Sequence, residues 1–283
     1  MTGRDDGGFA MVTAVVAVGL FAWMALLFLQ AGRGDAVLAR AATDRARLEA
    51  AADAGVMIAL HGLGQENRTL RWPIDGTART LSFDGTALTV TVEDERGKVP
   101  INTASPQVLR QLLAGIGLQG EGLDALQDAI LDWIDGDDAP RAHGAEDKSY
   151  LAVGAEMLPR NEAIRTLEEL LEVRGMSPES FARLAPSLTL LEAGAFNERT
   201  ATPLALMAMH QSSANSVEVQ NRARDIAGAG RPAIEITQDI SLKGRPLTLR
   251  VEARRPGGAA LTRIVVVELT SDPDQPVWIR RSR

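Results

Sequence analysis

Six carboxylates crowd into sixteen positions of this chain: Asp132, Asp135, Asp137, Asp138, Glu146 and Asp147. Like charges at that density repel one another unless water or a cation neutralises them. Calcium takes about 6–8 oxygen ligands from carboxylates, carbonyls and water, often on loops that contain glycine. Asp135-Gly136-Asp137-Asp138 and Gly144-Ala145-Glu146-Asp147 form two such ligand clusters on one excursion after a helix ending near Trp133. The order is not that of an EF-hand, because the Asp-x-Asp-x-Asp-Gly run and the spacing to its terminal Glu are missing. His143 lies in the same stretch, but one imidazole among carboxylates is a weak pointer to a transition metal. A solvated acidic loop with no specific ion is the alternative that the residues leave open.

Other chemistries find less support. The chain has no Cys and three His, which excludes zinc-finger, iron–sulfur and thiol chemistry. No Gly-x-Ser-x-Gly, P-loop or Rossmann fingerprint precedes a helix in the right context. No basic residue near the acidic loop reads as placed for a substrate anion, so the chain is not expected to be an enzyme. Aromatics make up 4%, too few for a stacking surface on single-stranded nucleic acid.

The elements that carry the loop follow from composition and periodicity. The 283 residues hold 30 Lys+Arg against 37 Asp+Glu, a net charge of −7, and 45% are hydrophobic. That length suggests about two domains. From Phe9 to Gly32 no residue is charged, a run of about 36 Å as a helix and long enough to span a bilayer. From Arg33 to Leu60 the pattern turns amphipathic, with Val37, Leu38, Ala41, Leu48, Ala52, Val56 and Ala59 near 3.6-residue spacing. Asp44 with Arg47, and Arg45 with Glu49, stand at pairing distance on its surface. The pattern predicts one helix from about Phe9 to about Leu60, with a break near Gly32-Arg33-Gly34 as the alternative.

Beyond this helix, Thr80–Phe83, the turn Asp84-Gly85 and Leu88–Val92 read as strand, turn and strand. Ile234–Ile240, Leu247–Ala253 and Leu261–Leu269 are further strands, with Lys243-Gly244 and Gly257-Gly258 as turns in an antiparallel sheet. Between them, residues 102–191 read as helical without a strand, and hold 7 Lys+Arg against 15 Asp+Glu. The expected class is therefore α+β: a long N-terminal helix, an antiparallel sheet, and an acidic all-α domain inserted between strands.

Gly8-Phe9-Ala10-Met11-Val12-Thr13 before a long apolar helix resembles the leader junction of type IV pilins and type II secretion pseudopilins. Within that class, Lys98-Val99-Pro100-Ile101-Asn102-Thr103-Ala104, Asp128–Asp138, Gly144–Asp147, Thr166–Leu171 and Gly175-Met176 resemble the GspK type of minor pseudopilin. The resemblance runs from Gly8 to about Leu191. It implies cleavage after Gly8 by a prepilin peptidase and methylation of Phe9. At Thr13 most pilins carry a Glu that meets a neighbour's N-terminal amine; its absence suits a subunit with no partner above it.

The resemblance further implies a calcium-binding loop, matched by Asp135, Asp137, Glu146 and Asp147, with Asp132 left on the helix surface. Here the chain lacks the family's Pro-Pro-Tyr, having Gly154–Pro159 instead, which puts a ligand near Asn161 in question. The implied plan is a leader at 1–8, a long helix at 9–62, a pilin-like α+β domain at 63–99 and 195–283, and the inserted acidic domain at 100–194. Implied too are a single pass through the inner membrane, C-terminal domains in the periplasm, and a place at the pseudopilus tip that helps start assembly. Its partners would be other minor pseudopilins, the major pseudopilin, the prepilin peptidase and the inner-membrane secretion platform.

A second resemblance competes. Asn102–Pro106 with Leu109, Leu112 and Gly115-Ile116-Gly117, and Leu167–Leu171 with Val173–Met176, are similar to the helix-hairpin-helix of membrane-anchored DNA receptors. Such hairpins offer backbone N–H groups to phosphate. Charge opposes it, since DNA binding rests on Lys and Arg and none lies between Gly115 and Gly122.

Overall fold

The computed structural model describes the backbone of residues 7–67, 69–210 and 241–282, and side chains within 11–27, 38–67, 69–209 and 241–280. The strand expected over Ile234–Ile240, and residues 1–6 of the expected leader, lie outside the described residues.

Helix α1 (Gly7–Leu63) has 57 residues, about 85 Å at 1.5 Å per residue. It passes through Gly32-Arg33-Gly34 without a break. No described helix is long and apolar enough to cross a membrane. The side chains of the expected span are described over Met11–Leu27, where Val15, Phe21 and Trp23 are exposed. Thr13 is exposed on the same stretch.

The buried stripe of α1 is shorter than its periodicity suggests. Leu48, Ala52, Val56, Ala59 and Leu63 are buried, whereas Leu38 and Ala41 are exposed. The helix outruns the sheet that covers it, so Leu38 and Ala41 are left uncovered by the described chain. Arg45 and Glu49 pair at 2.9 Å as expected, but Asp44 pairs with Arg255 of the sheet domain instead of Arg47.

Strands β1 (Arg79–Phe83) and β2 (Thr86–Asp94) form a hairpin. Its turn holds Asp84 and Gly85 at φ 45° and 70°, the left-handed pair that an Asp-Gly hairpin accommodates. The chain then leaves the sheet through β3 (Val99–Pro100), α2 (Pro106–Gly115), α3 (Gly120–Ile134), α4 (Asp147–Ala152), α5 (Pro178–Leu184), β4 (Leu188–Thr189) and α6 (Pro203–His210). It returns as β5 (Pro246–Arg254), β6 (Ala260–Leu269) and β7 (Val277–Ser282). The five-stranded antiparallel sheet has the order β1-β2-β5-β6-β7. Alternate residues of its strands, such as Leu88, Val90 and Val92, bury against α1. At Gly55 a Cβ would stand 2.7 Å from Val251, so glycine lets helix and sheet approach there.

Three features depart from the sequence reading. Strand β7 was not expected, and β4, which pairs in parallel with β3, lies inside residues 102–191, a stretch read as strand-free. Helix α6 lies past the expected domain boundary at 194, yet Ala205, Leu206 and Ala208 join the helical core with Leu112, Leu113, Ile130 and Trp133. Its small apolar residues find a face on α2 that would otherwise be bare.

Two buried acids join the sheet to the helical domain. Asp94 accepts from Arg96 N–H (3.1 Å), Asn197 Nδ2 (2.8 Å), Thr200 Oγ1 (3.0 Å) and Arg245 Nη1 (2.8 Å). Glu95 accepts from Lys98 Nζ (2.8 Å), Thr248 Oγ1 (2.7 Å) and Thr189 Oγ1. Nearby, Asn102 mimics a strand pair: its Nδ2 donates to Ile164 O at 3.0 Å and its Oδ1 accepts from Ile164 N–H at 2.8 Å.

Candidate metal centre in the acidic loop

Helix α3 forms because Leu123, Leu126, Ala129, Ile130 and Trp133 fall on one face and bury together. Trp133 fixes its end: Nε1–H donates to Glu169 Oε1 at 3.0 Å, and the ring meets Tyr150 edge-on at 5.5 Å and 68°. The helix stops at Asp135, whose backbone is extended (φ −72°, ψ 166°), and the acidic loop begins.

Asp132 is not a helix-surface residue. It is fully buried, because the returning loop folds over it. Its carboxylate accepts from the backbone N–H of Arg141 (3.2 Å) and Ala145 (2.9 Å) and from Arg141 Nη1 (2.6 Å). Gly144 is required by this closeness, since a Cβ there would lie 1.8 Å from Asp132 Oδ2. Arg174 Nη2 then holds the loop from outside, donating to His143 O (2.9 Å) and Gly144 O (2.6 Å). Tyr150 Oη in turn accepts from Arg174 N–H at 2.9 Å.

That scaffold brings Asp135, Asp137 and Glu146 together, each offering an oxygen within 4.8 Å of the others. Asp147, at the first turn of α4, is exposed and stands outside this group. His143 is exposed as well; its backbone N–H donates to Asp128 Oδ2 at 3.0 Å. Asp138 is drawn to Asn161 instead, whose Nδ2 donates to Asp138 Oδ1 (2.8 Å) and Asp137 O (3.0 Å).

Four buried oxygens in and beside this group accept no hydrogen bond: Asp135 Oδ1, both Glu146 carboxylate oxygens and Asn161 Oδ1. Buried polar atoms are normally satisfied, and an orphaned group costs about 1–3 kcal/mol. Desolvation first, then the charges of Asp132, Asp135, Asp138 and Asp137, push the Glu146 carboxyl up to about 7. Carboxylate and amide oxygens without sulfur or nitrogen are the donor set of a hard divalent cation such as calcium. The residues present fit that ion.

Sequence reasoning missed Arg141 and left Asn161 in question. Arg141 bonds both Asp132 and Asp135, a role the sequence reading, which weighed basic residues only as binders of a substrate anion, did not give it. Asn161, set at φ 50°, reaches the loop despite the altered stretch before it. The hairpin read as similar to a DNA-binding module is present as α2, its Gly115–Gly117 turn and α3. Its Arg110 is engaged by Asp124 at 2.7 Å.

Residues 85–193, which contain the acidic loop, match the family model of type II secretion system protein K, first domain. A protein K of Pectobacterium carotovorum is 32% identical over 192 residues, covering 61% of this chain and 56% of that protein. One from Pseudomonas aeruginosa is 30% identical over 155 residues, covering 50% and 46%. The chain thus spans about half the length of these curated relatives. The fold is similar to a chain of the GspK-GspI-GspJ complex from the enterotoxigenic Escherichia coli type 2 secretion system. The TM-score is 0.62 at 15% identity, over 86% of this chain and 98% of that one. With the α+β order and the loop between α3 and α4 both in place, the chain is similar to protein K of the type II secretion system, and the match to its family model falls on residues 85–193.

Proposed function

We propose that this chain is a minor pseudopilin that caps the tip of a periplasmic pseudopilus and helps start its assembly with other minor pseudopilins. The protein K match over residues 85–193 carries this reading, and the similar GspK-GspI-GspJ complex supports minor pseudopilins as partners. The apolar stretch from Phe9 would anchor the chain in the inner membrane and meet the major pseudopilin and the secretion platform. Thr13 in place of a carboxylate suits a subunit with nothing above it. The helical domain supports a cap, because it adds width that a repeating subunit would have to accommodate. When calcium is bound, Asp135, Asp137 and Glu146 would hold it, with Asn161 Oδ1 beside them; the ion supplies countercharge that fixes the loop.

Co-expression with a prepilin peptidase and the other minor pseudopilins, followed by intact mass and copurification, tests the role. Loss of Met1–Gly8, a methyl on Phe9 and a stable heteromeric complex are expected. An uncut chain that binds none of them, or one that polymerises alone into long filaments, would contradict it.

A further inference from the structure

We infer that Arg141 is a tethered counter-cation of the acidic loop, one that stabilises the cation-free fold and weakens calcium binding. The inference rests on the calcium reading of Asp135, Asp137 and Glu146. Arg141 Nη1 lies 2.6 Å from Asp132 Oδ1 and also bonds Asp135 Oδ2, so one guanidinium spans the buried carboxylate and a proposed ligand. Its backbone N–H donates to Asp132 too, which fixes the main chain while the side chain remains about a third exposed at 37%.

The neighbouring guanidinium groups are occupied elsewhere. Arg174 donates to the His143 and Gly144 carbonyls, and Arg160 pairs with Glu162 and Glu169. Arg141 is thus the described side chain that ion-pairs with Asp132 and Asp135. A divalent ion on Asp135 meets this positive charge at short range, where screening by water is incomplete. Removing the guanidinium leaves the cation-free loop with more uncompensated charge, whereas the calcium-loaded loop has its own countercharge. Loss of Arg141 therefore costs the cation-free state more than the loaded one, and binding tightens.

The test uses the full chain in detergent, titrated calorimetrically with calcium chloride and melted in EDTA and in excess calcium. Arg141→Met is expected to melt lower in EDTA, to recover in calcium, and to bind calcium roughly tenfold more tightly. Arg141→Gln keeps a hydrogen-bond donor without the charge and serves if R141M does not fold; it is expected to tighten binding as well. Unchanged or weaker binding in the folded variants would overturn the inference while leaving the calcium site standing. Failure of the wild-type chain to bind calcium would overturn the site and the inference together.

Discussion

Asp94 and Glu95 at the domain junction, and Glu146 in the acidic loop, are similarly buried, but their surroundings are completed differently. Asp94 collects four donors, including the Arg245 guanidinium, and Glu95 collects three. Both oxygens of Glu146 collect none, and one oxygen each of Asp135 and Asn161 is likewise unmet. Burial of carboxylates is therefore not a sign of an ion site in itself. The junction closes with donors from the protein and fastens two domains; the loop leaves four oxygens without donors, the arrangement that the proposed cation would complete.

The largest expected effect tests the junction. Asp94→Ala would leave Arg245 buried without its countercharge, a loss of about 3–5 kcal/mol in denaturant unfolding. Calcium should not restore it. If it did, the two clusters would not be independent.

Next comes Gly144→Ala, which drives a methyl into Asp132. About 1–3 kcal/mol of strain is expected, together with weaker calcium binding, because the loop's return is held by that contact. A variant with unaltered stability and affinity would show that Asp132 does not organise the loop.

The pH dependence sharpens the contrast further. The folded Glu146 carboxyl titrates near 7, above its unfolded range. Below the unfolded pKa both states are protonated and no penalty applies. As pH rises toward 7, the unfolded chain releases its proton first, so stability falls across about pH 4.5 to 7. Calcium should remove this decline, and Glu146→Gln should abolish it, as melts across that range would show. A decline that persists in E146Q would place its origin elsewhere.

The smallest effect is expected from Asp147→Asn. That carboxylate is exposed and outside the group of three, so calcium affinity should change by less than about threefold, a surface-charge effect. A loss as large as that of E146Q would return Asp147 to the ligand set.

Much of this was legible in the chain because the signals are local. The Asp84-Gly85 turn, the alternation of Leu88, Val90 and Val92, and the density of carboxylates after Trp133 each speak within a few residues. The fate of Asp132 does not, since a helical pattern shows its neighbours Ala129 and Trp133 but not the loop that folds over it. The junction is even less accessible: Asp94 meets Arg245, 151 residues away, and no local pattern announces the pair. Strand β7 is short and lies just beyond Pro276, with arginines at its end, so its composition hides its place at the sheet edge.

The most direct measurement is calcium titration of the full chain by calorimetry, beside Glu146→Gln and Asp94→Asn variants confirmed as folded. Saturable binding in the wild type and D94N, lost in E146Q, is the result expected from a loop left open for a cation. Absence of binding in the wild type, or equal binding in E146Q, would contradict it.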